Sequence, residues 1–281
     1  MAKKKIFIFL LVLVVIFVMG TVNCLTVNLD NLYNFRKLEA DLSYTADVAE
    51  SLKVDNQTGH IALRTAKVDD VRLRTIYTVD AETQAAVDEL MGNIKINAII
   101  DGGVFKINVL SKKDNTDYWT WKTNTYPLSS VQIDFAIVVP EKFKSFDLNT
   151  LTGNINVSSI NGALKANTYT GDINIIDANI VGDNVIDVKT GDITTEAVIN
   201  QADKLSLTTM TGNIKLSIPG DTGVSINASL MTGNIKGNFG GMLVGEKDLA
   251  GMSTASKVYN NGGTDVTLKT MTGDITVNEL K

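Results

Sequence analysis

A column of oxygen-bearing side chains is the first place to look for chemistry in this 281-residue chain. Asn154, Asp172, Asp192, Asn213, Asn234 and Asp274 each follow a glycine directly and precede an isoleucine. If these positions stack, Asp172 lies about 5 Å from Asp192. Two carboxylates that close suit an acid pair for cleaving a sugar polymer, or an oxygen cage for Ca²⁺. The same residues also have a purely structural use, because Asn and Asp at a bend satisfy backbone amides. The column mixes charged with neutral residues and no nine-residue calcium repeat is present, so the structural use is favoured. His60 is the sole histidine, which removes histidine metal clusters and Ser-His-Asp arrangements; it reads as a turn residue standing in an Asp/Asn slot. The residues therefore name no reaction, cofactor or metal, and the chain reads as a non-enzyme.

The elements that position the column are set by a repeat. Thr-Gly-Asp/Asn-Ile recurs at Gly153, Gly171, Gly191, Gly212, Gly233 and Gly273, spaced 18, 20, 21, 21 and 40 residues apart. A period near 20 marks stacked units, each unable to bury its apolar face alone. Within a unit the pattern alternates. Seven and five residues before the glycine stand pairs such as Phe146/Leu148, Leu205/Leu207 and Val266/Leu268. Two after the glycine is always Ile, and the intervening positions are mostly polar. Period two with β-branched residues means strands with one face inward. The glycine turns each strand at a corner, since it reaches positive φ without a Cβ clash. The expected fold is all-β, a parallel β-solenoid of about 20-residue coils spaced about 4.8 Å apart. An antiparallel meander is the rival, but it has no reason to hold four residues in phase.

Three segments follow from this pattern: residues 1–25 as signal peptide or membrane anchor, 26–145 as a β-rich capping region, and 146–281 as the repeats. The capping region is expected to hold one short helix at 83–90, with Gly92 as its C-terminal glycine. A hairpin at 94–110 turns at Gly102 and Gly103. Leu52, Val54, Gly59 and Ile61 echo the repeat offsets earlier in the chain. Tyr118-Trp119-Thr120-Trp121 holds both tryptophans, on one face of a strand if extended; an exposed pair can stack on sugars, but covering the first coil is the favoured reading. The glycine-rich stretch 237–263 reads as one irregular or looped coil before the last strand pair.

A second column has a less obvious purpose. Leu151, Tyr169, Lys189, Met210, Met231 and Met271 lie two residues before each glycine, at a parity that points outward. An apolar stripe on an outer face fits a contact surface, for a partner or for self-association. The alternative is that residues 237–263 or a twist at the corner bury it.

Lys3–Lys5 followed by an uncharged apolar run is an export signal or an anchor with its N-terminus inside. Cleavage after Gly20 fits. Cys24, the only cysteine, is a candidate for lipidation, although Thr21-Val22-Asn23 is a poor approach to one. A single cysteine excludes an internal disulfide. Without Lys3–Lys5 the 26 basic residues fall to 23 against 31 acidic, and every arginine lies between Arg36 and Arg74. Acidic repeats without arginine exclude nucleic-acid binding. Glycosylation sequons occur at Asn56, Asn156 and Asn227.

Taken together, the Thr-Gly-Asp/Asn-Ile repeats, the early Leu52–Leu63 strand with Thr58-Gly59, the helix and hairpin of residues 81–110 and the glycine-rich stretch before Val266–Val277 resemble the candidate-adhesin family of β-strand-repeat domains of unknown function, also called toast-rack domains. Members commonly carry Ser-Gly-Asp where this chain carries Thr-Gly-Asp or Thr-Gly-Asn. The resemblance covers about residues 38–281. It implies a parallel β-solenoid, exported or tethered to a membrane, with roles in adhesion or envelope stress, and it supplies no catalytic residues. The expected partner is an envelope or surface protein or a glycan, with membrane attachment through the N-terminal segment.

Overall fold

Alternating side chains in the sequence become strands in the structure, a computed structural model that describes residues 34–45, 48–241, 243–247 and 251–280. Before the first repeat come β1 (Asn34–Tyr44), β2 (Ser51–Asp55), β3 (Ile61–Ala66), β4 (Val71–Ala81), helix α1 (Gln84–Gly92), β5 (Ile94–Asp101), β6 (Val104–Ser111), helix α2 (Tyr118–Thr125) and β7 (Ser130–Pro140). The repeats supply β8 (Ser145–Thr152), β9 (Ile155–Ser158), β10 (Asn161–Thr170), β11 (Ile173–Thr190), β12 (Ile193–Thr211), β13 (Ile214–Pro219), β14 (Val224–Thr232) and β15 (Ile235–Gly237). Short β16 (Leu243–Val244) and β17 (Glu246–Lys247) lead to β18 (Ser253–Tyr259), β19 (Thr264–Thr272) and β20 (Ile275–Leu280).

The protein is all-β with two short helices among its described residues, and every strand joins a single sheet. Repeat strands run parallel and in register. Ile155 pairs with Ile173, Ile173 with Ile193, and Ile193 with Ile214. The inward positions are dry: Leu148, Ile173, Ile186, Ile193, Leu207, Leu216 and Leu268 are fully buried. Each such side chain contributes about 1.5–3 kcal/mol of burial. Asn184 occupies one of these inward positions. It survives there because its Oδ1 accepts from the Leu164 amide at 2.7 Å and its Nδ2 donates to the Gly182 carbonyl at 2.8 Å.

Three expectations are corrected. The sheet is mixed, not purely parallel: β1–β4, β4–β7 and β5–β6 pair antiparallel at one end, and β14–β18, β15–β16 and β17–β18 at the other. Those pairings occupy edges that a purely parallel stack leaves open to other chains. Second, residues 237–263 do not form a coil between the fifth and last repeats. Strand β19 inserts between β12 and β14, and β18 lies on the far side of β14. The order across the sheet is thus β8, β10, β11, β12, β19, β14, β18. Third, residues 118–121 are helical, so a second helix joins the one foreseen. Asp117 caps α2 through a 2.7 Å bond from the Thr120 amide, which favours helix at that point over strand.

The remaining early elements lie close to their expected places. Helix α1 begins at Thr83, whose hydroxyl accepts from the Ala86 amide. Gly92 is its last residue, and the cap position beyond belongs to Asn93. The hairpin β5–β6 turns on Gly102 and Gly103, both at positive φ, as a two-residue turn of this hand demands. Strands β2 and β3 with Gly59 form a further rung, since β2 pairs β8 and β3 pairs β9 in the repeat register. The expected signal or anchor and Cys24 lie outside the described residues. Among the described residues no helix is long and apolar enough to cross a membrane.

Candidate functional site

The corner is built around a close approach of backbones. A Cβ on Gly212 would sit 1.9 Å from the Gly191 carbonyl oxygen, and one on Gly171 would sit 2.2 Å from that of Gly153. The corner glycines have φ between +137° and +148°. Two independent demands therefore fall on the same residue, a backbone conformation and an absent side chain. The space a side chain would fill holds the neighbouring rung's carbonyl. Inward threonines three residues before the glycine bond these carbonyls: Thr168 Oγ1 donates to Gly153, Thr209 to Gly191 and Thr270 to Gly212, each at 3.0 Å.

The Asp/Asn column is consumed by the same architecture. Asn154 Oδ1 accepts from the Asp172 amide at 2.9 Å, Asp172 Oδ1 from the Asp192 amide at 2.9 Å, and Asp192 Oδ1 from the Asn213 amide at 2.6 Å. Asn213 Oδ1 then accepts from Asp274 at 2.8 Å, and Asp274 Oδ1 from Asn234 at 2.9 Å. His60 stands in the Asx slot that its sequence position suggests. Its Nδ1 accepts from the Asn154 amide at 2.9 Å, and its own amide donates to Asp134 Oδ1 at 2.8 Å. Asp134 is the member that sequence reasoning missed; no repeat offset marks it, because β7 lies outside the repeats.

Asp172 and Asp192 therefore act as amide acceptors in a ladder. Among the described residues no three His, Cys, Asp or Glu side chains gather as metal ligands. A shallow depression of about 230 Å³ on the outer face of β3, β7 and β9 is lined mainly by Ala62, Ala136, Val138 and Ile176, with Arg64 its one charged residue. It holds no acid–base pair.

The outer column two residues before each glycine is left without cover. Leu151, Tyr169, Met210, Met231 and Met271 are between 45% and 60% exposed. Neither the described residues of 237–263 nor a corner twist buries them. Because β19 inserts between β12 and β14, their order along the sheet is Leu151, Tyr169, Lys189, Met210, Met271, Met231. The aromatic group of α2 is instead internal. Trp119 and Tyr118 are buried, and Trp121 packs 5.7 Å from the Tyr118 ring and 6.0 Å from that of Tyr126. Burial pushes the Tyr118 phenol well above its ordinary range, and its hydroxyl donates to the Leu90 carbonyl. Glu89 is held below the usual carboxylate range by hydrogen bonds from Lys113 and Tyr126.

Comparison with known proteins gives a family and a loose set of likenesses. Residues 140–278 match the family model described as Toastrack DUF4097. Among solved structures, a candidate cell adhesion protein from Clostridium sporogenes is 12% identical, with 87% of this chain and 100% of that chain covered at a TM-score of 0.40. A candidate adhesin from Bacteroides fragilis is 10% identical over 86% of this chain and 97% of that one, at 0.32. A candidate lipid-binding protein from Parabacteroides distasonis is 12% identical over 86% and 97%, at 0.30. No curated protein matches. Residues 140–278, which hold the corner glycines and the inward threonines, belong to the toast-rack family of β-strand-repeat domains of unknown function.

Proposed function

We propose that this protein is a non-enzymatic, exported, envelope-associated domain whose repeats form a parallel β-solenoid shaft. The shaft presents a surface for adhesion or for assembly with envelope components. The observation that carries the reading is the exposed in-register column of Leu151, Tyr169, Met210, Met271 and Met231. An apolar row left open beside a fully hydrogen-bonded corner is a contact surface more than a folding device. The corner oxygens face amides of their own chain, which favours a scaffold over a sugar-cleaving or calcium-held alternative. The partner is an envelope or surface protein or a glycan, or a second copy of this chain. The segment before residue 26 provides the membrane attachment.

Replacing Met210 and Met231 by serine tests the reading. Both side chains are exposed, so stability should change by no more than about 0.5 kcal/mol. Self-association in sedimentation velocity, or retention on isolated cell envelopes, should fall. Unchanged behaviour in both assays removes the column from the argument.

A further inference from the structure

The described residues bring no hard-metal donors together, and the corner acids direct an oxygen to backbone amides. Soft donors are gathered. Met210, Met271 and Met231 hold the same position on β12, β19 and β14, two residues before the corner glycine. Thr211 pairs with Thr272, and Thr272 with Thr232, so the three methionines occupy consecutive rungs with Met271 in the middle. Adjacent rungs are about 4.8 Å apart, which places the outer two about 10 Å from each other. Methionine is unbranched and flexible, and all three are about half exposed. Met210 and Met231 each need to lean by one rung to meet an ion resting on Met271. Thioether sulfur is a soft ligand that selects Cu(I) over calcium or magnesium.

We propose that Met210, Met271 and Met231 form a surface thioether site for a soft monovalent cation, Cu(I). The site stands whether or not the same column engages a partner. Lys189, beside Met210, ends the sulfur row on one side, and exposed Lys269 precedes Met271 on the same face. Binding therefore rests on the sulfurs, not on local charge.

The test uses the full chain with Cys24 alkylated, because a thiolate would capture the same ion. Titration with Ag(I), and with Cu(I) under reductant against a colorimetric chelator, should saturate at one ion per chain. The M210L/M231L/M271L protein keeps the apolar column but lacks its sulfur, and should lose the ion. Met252 stands opposite Met231 by the β14–β18 register, in which Leu230 pairs with Ser253, so every protein in the series, the parent included, carries Met252→Leu and Met271 stays the middle sulfur. Among single variants Met271→Leu should weaken binding most, by roughly tenfold or more, since it leaves the remaining sulfurs two rungs apart. Circular dichroism should show the same strand signal throughout. The proposal is overturned if the triple variant binds like the parent, if the parent shows no stoichiometric site, or if Met231→Leu is the most damaging single change.

Discussion

The repeat stack and the end that covers it use hydrogen bonds in opposite ways. In the stack a residue's role is set by its column. The glycine makes room for a neighbouring carbonyl, the threonine three before it bonds such a carbonyl, and the residue after it accepts an amide. At the covering end each contact occurs once. Tyr118 donates to the Leu90 carbonyl at 3.1 Å, Glu89 joins Lys113 and Tyr126, and Lys113 lies 5.3 Å over the Trp121 ring. A column tolerates no misfit because its neighbours are backbone. A single contact between side chains has atoms that can move.

The largest effect should therefore come from the column. Gly212→Ala places a Cβ against the Gly191 carbonyl and should cost about 4 kcal/mol or more in urea unfolding. Gly182→Ala has a positive φ but open space, and should cost about 1 kcal/mol. Equal losses would mean that conformation alone, not close approach, selects the corner glycine.

At the covering end, Tyr118→Phe removes one buried hydroxyl and should cost about 1–3 kcal/mol, because the Leu90 carbonyl loses its donor. A loss as large as that of Gly212→Ala would erase the contrast between the two ends.

His60 is where the two regions meet, since it links Asp134 of β7 to Asn154 of the first repeat. Its Nδ1 accepts the Asn154 amide, so His60→Leu leaves that amide without its acceptor and should cost about 1 kcal/mol in urea unfolding. An unchanged midpoint would show that the rung carries no weight.

The smallest effect belongs to half-buried Glu89. Its carboxyl is lowered in the folded state, so its contribution is present above the unfolded carboxylate range and is lost as pH falls through the folded value. A Glu89→Gln protein should lack that part of the acid dependence. An unchanged acid limb in the unfolding curve would show the Lys113 and Tyr126 contacts to be without consequence.

Much of this was legible in the residues. Alternation around Gly171 or Gly212 fixed which side chains turn inward, and His60 in an Asx slot was readable from its offset after Gly59. The Asx ladder was legible as a structural alternative to an acid pair. Helix α2 was not, because Tyr-Trp-Thr-Trp has strand-forming composition and its helical state depends on the Asp117 cap and on a buried place for Tyr118 and Trp119. Asp134 escaped because it serves the ladder from outside the repeat.

By itself the sequence determined the period, the corner and the face on which Leu151, Tyr169 and the three methionines stand, because these depend on local alternation and on glycine. Only the tertiary structure decided which rung lies on which. Strands that share one pattern offer nearly interchangeable edges, so β19 can seat between β12 and β14 as well as beyond β14. That choice is made by the antiparallel pairing of β18 on β14. It is this non-local choice that places Met271 between Met210 and Met231.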